Sequence, residues 1–292
     1  MCNRGIWNTV IILLKRLIKQ PKLYLVVALL VITLDTLIGS ARQIVAQYNI
    51  HVNAYGSFAC LTSYNYLMLW VVLGYLVLIS DVPFVTNLSL FVHIRITQRQ
   101  SWTARMIYIL ITSILYVLFV FILIAVIENA SLMHPFTWDK ALNTMSYGSA
   151  VGNSYLYTPA VILSSYTPLQ ACLLASVLLV CSLSALGSLM LIGTAFIGKR
   201  IVLSIAGVIA ILDSAIGYMG LPDALYYISP LSWCRLEIIK TASFHPSRPS
   251  ELYCLLAPFC SFLLLFLLAC IVLIQSNKRF ESEMNIGGEY SD

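Results

Sequence analysis

Residues 106–127 read MIYILITSILYVLFVFILIAVI, twenty-two positions without a charge. At 1.5 Å per residue this run makes a helix of about 33 Å, enough to cross roughly 30 Å of hydrocarbon. A transmembrane barrel would instead alternate in segments of roughly ten residues around a polar lumen. Five more stretches have the same character, near Leu23–Ser40, Tyr64–Phe84, Leu169–Gly193, Ile201–Met219 and Tyr253–Gln275. The composition of the 292-residue chain agrees: 60% apolar, 10% charged, formal net charge +5 and mean hydropathy +0.89. A soluble domain carries about 25% charge, so this chain lacks the polar residues to cover a water-facing surface. A soluble enzyme, a secreted disulfide scaffold, a coiled coil and a disordered tail are excluded. The expected fold is all-α, a polytopic membrane protein with six transmembrane helices in one domain. Residues 1–22 form a cytoplasmic amphipathic helix, 23–275 the six-helix membrane part and 276–292 a polar tail.

The basic residues orient these spans. Twelve of the 17 Lys and Arg fall in the N-terminal segment, the second and fourth connections and the C-terminal tail, and five fall on the other side. The positive-inside rule then puts both termini in the cytoplasm, as an even span count requires, and predicts a multi-pass protein of the cytoplasmic membrane. The first apolar run contains Asp35 and lacks a small-residue cleavage pattern, which predicts a retained anchor rather than a signal peptide. Most of the eight cysteines fall inside spans as small apolar fillers. Cys60 and Cys234 share the outer side, which leaves a disulfide between them open.

Ahead of the first span, Arg4–Lys19 is amphipathic. Ile6, Trp7, Val10, Ile11, Leu13, Leu14, Leu17 and Ile18 share one arc at 100° per residue. Arg4, Asn8, Lys15, Arg16 and Lys19 share the other, and Ile12 alone is out of place. Such a helix lies in the headgroup region, and Pro21 ends it. The second connection, 85–105, mixes apolar and basic residues through Ile94-Arg95-Ile96-Thr97-Gln98-Arg99-Gln100-Ser101-Trp102 to Arg105. It reads as a short helix that lies on lipid or docks into a partner, and the residues leave both open. The long third connection, 128–168, carries Trp138 and Tyr166 among several aromatics, which predicts packing at the interface. In the fifth, Ala224–Trp233 is apolar but too short to span and reads as a re-entrant or interfacial piece.

Reactive chemistry is sparse. No phosphate loop, zinc-protease helix or nucleophile elbow is present, the four histidines are scattered over loops, and no metal-ligand set is visible. The chain is expected not to be an enzyme, and no nucleic-acid partner is expected. Three acids lie in spans: Asp81 at an inner end, Asp35 on the first and Asp213 on the fifth. Intramembrane acids mark proton or substrate paths, or else polar contacts inside the bundle. Asp213 shares a face with Ala206, Ala210 and Gly217, narrow enough for close helix contact. Ala171/Ala175 and Ser184/Ser188 mark helix packing on the fourth span.

The order of these parts resembles the membrane-spanning permease subunits of type-2 ABC exporters. Arg4–Lys19 matches that family's inner-surface helix. Ile79-Ser80-Asp81-Val82-Pro83 with Ile94–Trp102 looks like its coupling region, and Ile228-Ser229-Pro230-Leu231-Ser232-Trp233 like its outer re-entrant element. The resemblance implies a pathway formed with a second permease copy or homologous permease in the bilayer, driven by separate ABC ATPase subunits. ATP and Mg would then reside on the partner, with no cofactor in this chain. Coupling would fall to Ile94, Arg95, Ile96, Arg99, Trp102 and Arg105, and the outer element to Ser229, Pro230 and Trp233. The third connection is longer than the compact outer loops expected of many such permeases, which leaves room for a peptide, lipid or polymer substrate. The alternative is a proton-coupled secondary transporter using Asp35 and Asp213, although repeated halves are absent from the sequence. A third reading is an intramembrane enzyme or a structural subunit of a membrane complex; the enzyme version needs convergent polar groups, and the spans are poor in them.

Overall fold

The structure, a computed structural model, describes residues 2–48, 53–81, 98–128, 135–140, 142–143, 160–241 and 247–288. Helices fall at all six expected stretches, and no strand occurs among the described residues. In chain order they are α1 (Cys2–Lys19), α2 (Pro21–Tyr48), α3 (Ala54–Leu61), α4 (Asn65–Ile79), α5 (Gln98–Glu128), α6 (Ala160–Ser165), α7 (Pro168–Phe196) and α8 (Lys199–Met219). Two 3-10 turns follow, Asp223–Tyr227 and Ser232–Cys234, then α9 (Leu236–Thr241) and α10 (Glu251–Gly288). Within α5, α7, α8 and α10, the stretches Gln100–Ile127, Pro168–Thr194, Lys199–Met219 and Glu251–Leu268 are each long and apolar enough to cross a membrane. The count reaches six if each of two bent pairs, α1 with α2 and α3 with α4, is one span. These helices are those of a membrane-embedded protein.

α7 is the hub. It packs against α3, α4, α5, α8 and α10, and 72% of its spanning window is buried, against 11% for α10. Its sequence explains the position. Ala171, Ala175, Ser182, Ser184 and Ser188 are buried, and small side chains let neighbouring backbones approach closely. Gly187 is the closest point: a Cβ there would sit 2.6 Å from Ile109 and 3.0 Å from the Tyr75 hydroxyl. Two of the buried serines satisfy themselves locally, Ser184 donating to the Cys181 carbonyl at 2.9 Å and Ser188 to that of Ser184 at 2.8 Å. Thr167 and Gln170 close a capping box at its start.

Three expectations change in detail. The second span is no continuous helix over Tyr64–Phe84. α4 ends at Ile79, which makes it about 22 Å long. α3 meets it at 90° across Thr62–Tyr64. α3 was not anticipated from the sequence; Asn53 caps it by accepting from the Tyr55 N–H. The helix of the sixth span does not stop near Gln275 but runs on to Gly288. α1 does not rest its whole apolar arc on lipid. It is bent 62° from α2 and packs on α5, with Thr9 and Val10 buried and Leu13, Leu14 and Leu17 against the core. Trp7, Ile11 and Ile18 stay exposed on the other flank.

The near end of the bundle is where α1 joins α2 and α8 begins. The far end is where α8 finishes. There Trp138, in the described stretch 135–140, packs on the core and donates to the Tyr166 carbonyl at 2.8 Å.

Candidate functional site

The far end is closed by the segment between α8 and α10. Pro222 and Pro230 interrupt any long helix, so the chain folds into two 3-10 turns and the short α9. Leu231, Trp233, Cys234, Leu236, Ile238 and Ile239 are all buried. The piece is packed into the bundle as a plug rather than spread over its surface. The Trp233 indole donates to the Tyr226 carbonyl at 3.1 Å. Ser182 on α7 donates to the Pro230 carbonyl at 3.0 Å. The Cys234 thiol donates to the Leu178 carbonyl at 3.3 Å and lies 3.0 Å from Ser182 Oγ. Cys60 and Cys234 are both buried and neither forms a disulfide. Tyr253 on α10 donates to the Tyr227 carbonyl at 2.8 Å and stacks edge-on against Trp233.

Asp213 anchors the plug to α8. Its side chain is 2% exposed, accepts from Ser232 Oγ at 2.9 Å and lies 3.7 Å from Arg235 Nη1. Arg235 is itself buried and reaches Glu237 at 3.3 Å. A buried charge is tolerated only when paired and hydrogen-bonded, and these residues supply the pairing across the α8–plug boundary. Two buried groups there, Arg235 Nε and Ser229 Oγ, have no hydrogen-bond partner among the described residues. At the rim, Arg248 pairs with Asp223 at 3.2 Å and Lys240 with Glu251 at 2.8 Å. The Lys240 ammonium also sits 4.9 Å from the centre of the Tyr166 ring. The Glu251 hydrogen bond holds the Lys240 ammonium above its ordinary pKa.

A second cluster lies at the near end. Just beyond α4, Asp81 accepts from Lys22 at 2.6 Å and lies 3.7 Å from Lys199. Lys22 also donates to Ser80 Oγ at 3.0 Å. One carboxylate thus joins the first turn of α2, the end of α4 and the first turn of α8. Burial pushes its pKa up, but the Lys22 hydrogen bond and the charges of Lys22, Lys199 and Arg16 outweigh this, and Asp81 titrates below its ordinary value.

The sequence-derived site residues separate into three groups. Asp213, Ser229, Pro230 and Trp233 come together in the plug and its anchor. Asp35 is exposed on α2, far along the chain from Asp213 and not part of that cluster. Of the coupling residues, Ile94, Arg95 and Ile96 lie outside the described residues, as does the Arg99 side chain. Trp102 is half-buried against the core and Arg105 is buried. Sequence reasoning did not single out Arg235, Ser232 as the ligand of Asp213, or the Lys22–Asp81–Lys199 link. The available signal was the unmet charge of Asp213, which demands a cation. No group of His, Cys, Asp and Glu suited to a metal occurs among the described residues, and the hydroxyls and carboxylates of the two clusters are engaged with one another and with cations. Their chemistry is that of fastening helices.

In comparisons with known proteins, no family model, no curated protein and no solved structure matches this chain.

Proposed function

We propose that the chain is the membrane-spanning permease subunit of an ATP-driven ABC transporter working as an exporter. The observation that carries this reading is the buried, non-spanning plug between the last two long apolar helices, fastened by Asp213 and Arg235. It follows five apolar helices and a bent, basic amphipathic helix, the order of parts that this class of permease uses. The chain lacks a phosphate loop, which fits a nucleotide site on a separate ATPase subunit, with ATP and Mg held there. A second permease, identical or homologous, completes the pathway in the cytoplasmic membrane, with both termini in the cytoplasm. Coupling runs through the connection between α4 and α5, where Ile94 and Ile96 supply an apolar anchor and Arg95 and Arg99 pair with acids on the ATPase. Trp102 and Arg105, held in the bundle, relay that contact into α5 rather than touch the partner. The pairing of Asp213 with Arg235 supports a fastening role for this acid over proton carriage.

The test is co-expression with a candidate ABC ATPase and purification of the chain from detergent. An ATP-hydrolysing subunit should co-purify with the native chain. It should be lost from the Arg95→Glu/Arg99→Glu variant while that variant remains monodisperse. A chain that never retains an ATPase overturns the proposal.

A further inference from the structure

A groove opens at the near end between α7, α8 and α10. It is lined by Leu189, Ile192 and Gly193 of α7, Val202 and Ile205 of α8, and Leu265 of α10, and holds about 160 Å³. No polar side chain lines it. Its floor is set by sequence: Gly193 has no side chain, and a Cβ there would meet the Val202 methyls at 2.8 Å. Its mouth faces the same surface as the exposed Ile197, Ile201 and Ile205, the surface a bilayer would cover. A dry apolar cavity of roughly 150 Å³ takes up a benzene-sized guest, so this groove accepts a short stretch of hydrocarbon chain.

Charge at the mouth says which chain. Ile197 lines the groove, and after Gly198 the helix α8 begins with Lys199 and Arg200. Asp81 is held more closely by Lys22, at 2.6 Å, than by Lys199, at 3.7 Å. Arg200 is exposed and has no ion-pair partner among the described residues. The first turn of α8, which follows the groove residue Ile197 in the chain, therefore carries positive charge in excess of what Asp81 meets. We propose that this groove seats one acyl chain of an anionic phospholipid, with Lys199 and Arg200 at its phosphate. The site does not depend on the transport reading.

The experiment is native mass spectrometry of the full chain in a neutral maltoside detergent. It is titrated separately with phosphatidylglycerol, phosphatidylcholine and glycerol phosphate. The native chain should retain one phosphatidylglycerol, about tenfold over phosphatidylcholine, the scale expected of one to two basic side chains at a lipid surface. Arg200→Gln should bring the two lipids toward parity. Ile205→Trp should fill the groove and remove retention of both, and Leu265→Trp should do the same from α10, so that a folding defect in one leaves the other informative. Val126→Trp, exposed at the opposite end of the bundle on α5, should change nothing. Retention that survives both filling variants overturns the proposal. Glycerol phosphate binding as tightly as the lipid also overturns it, because the anion alone would then suffice.

Discussion

Asp213 shows how a single residue decides the far end. An acid inside an apolar helix is costly unless something meets its charge, and here Ser232 and Arg235 do so from a segment beyond the helix. Truncating one member leaves the other charge buried. Asp213→Ala is therefore expected to cost about 3–5 kcal/mol. Asp213→Ala combined with Arg235→Met should cost clearly less than the two single changes together, because neither charge is then stranded. Thermal unfolding of the three variants in detergent reads this directly, and strictly additive losses would show that the pair is not coupled. The sequence marks Asp213 as an acid needing a partner. It does not mark Arg235, because the pairing exists only once the chain has turned back on itself through Pro222 and Pro230.

Among the elements, α2, α4 and α8 meet at Asp81. Its folded pKa lies below the ordinary 3.8, so the stability it contributes is present above that value and is lost as pH falls through the lower folded value. The Lys22 and Lys199 side chains are 38% and 48% exposed, which keeps the contribution under about 1 kcal/mol. The difference in Tm between the native chain and Asp81→Asn is expected to hold steady from pH 7 to 5 and to start shrinking once pH falls below about 4. A difference that does not shrink at all as pH falls below about 4 would mean that Asp81 acts by packing and not by charge. The sequence places Asp81 at a helix end, where headgroups would have satisfied it. The structure gives it lysines instead, since two helix starts converge on the end of α4.

Across the whole molecule, burial is unequal. α7 is enclosed on several sides, whereas α10 leaves Leu256, Phe259, Leu263 and Leu267 exposed. In a membrane-embedded protein this face belongs to lipid, and a charge on it must be dragged from hydrocarbon. Leu263→Lys is expected to raise the cost of inserting α10 by about 2.5–3.5 kcal/mol, seen as a lower inserted fraction in a microsomal insertion assay. Full insertion of that variant would indicate that the face opens onto water or protein.

The helical class, the places of the six apolar stretches and the small-residue face of α7 were legible in the sequence, because each depends on local composition and on a period of 3.6 residues. Ala171, Ala175, Ser184 and Ser188 fall buried as their spacing implies. The 90° corner between α3 and α4, the fold of the plug and the partners of Asp213 and Asp81 were decided by tertiary structure alone. α3 has only eight residues, too few to be stable by itself; it forms because α5 and α7 bury it. The sequence states which groups must be satisfied inside an apolar bundle, and only the packed chain determines which distant residues come close enough to satisfy them.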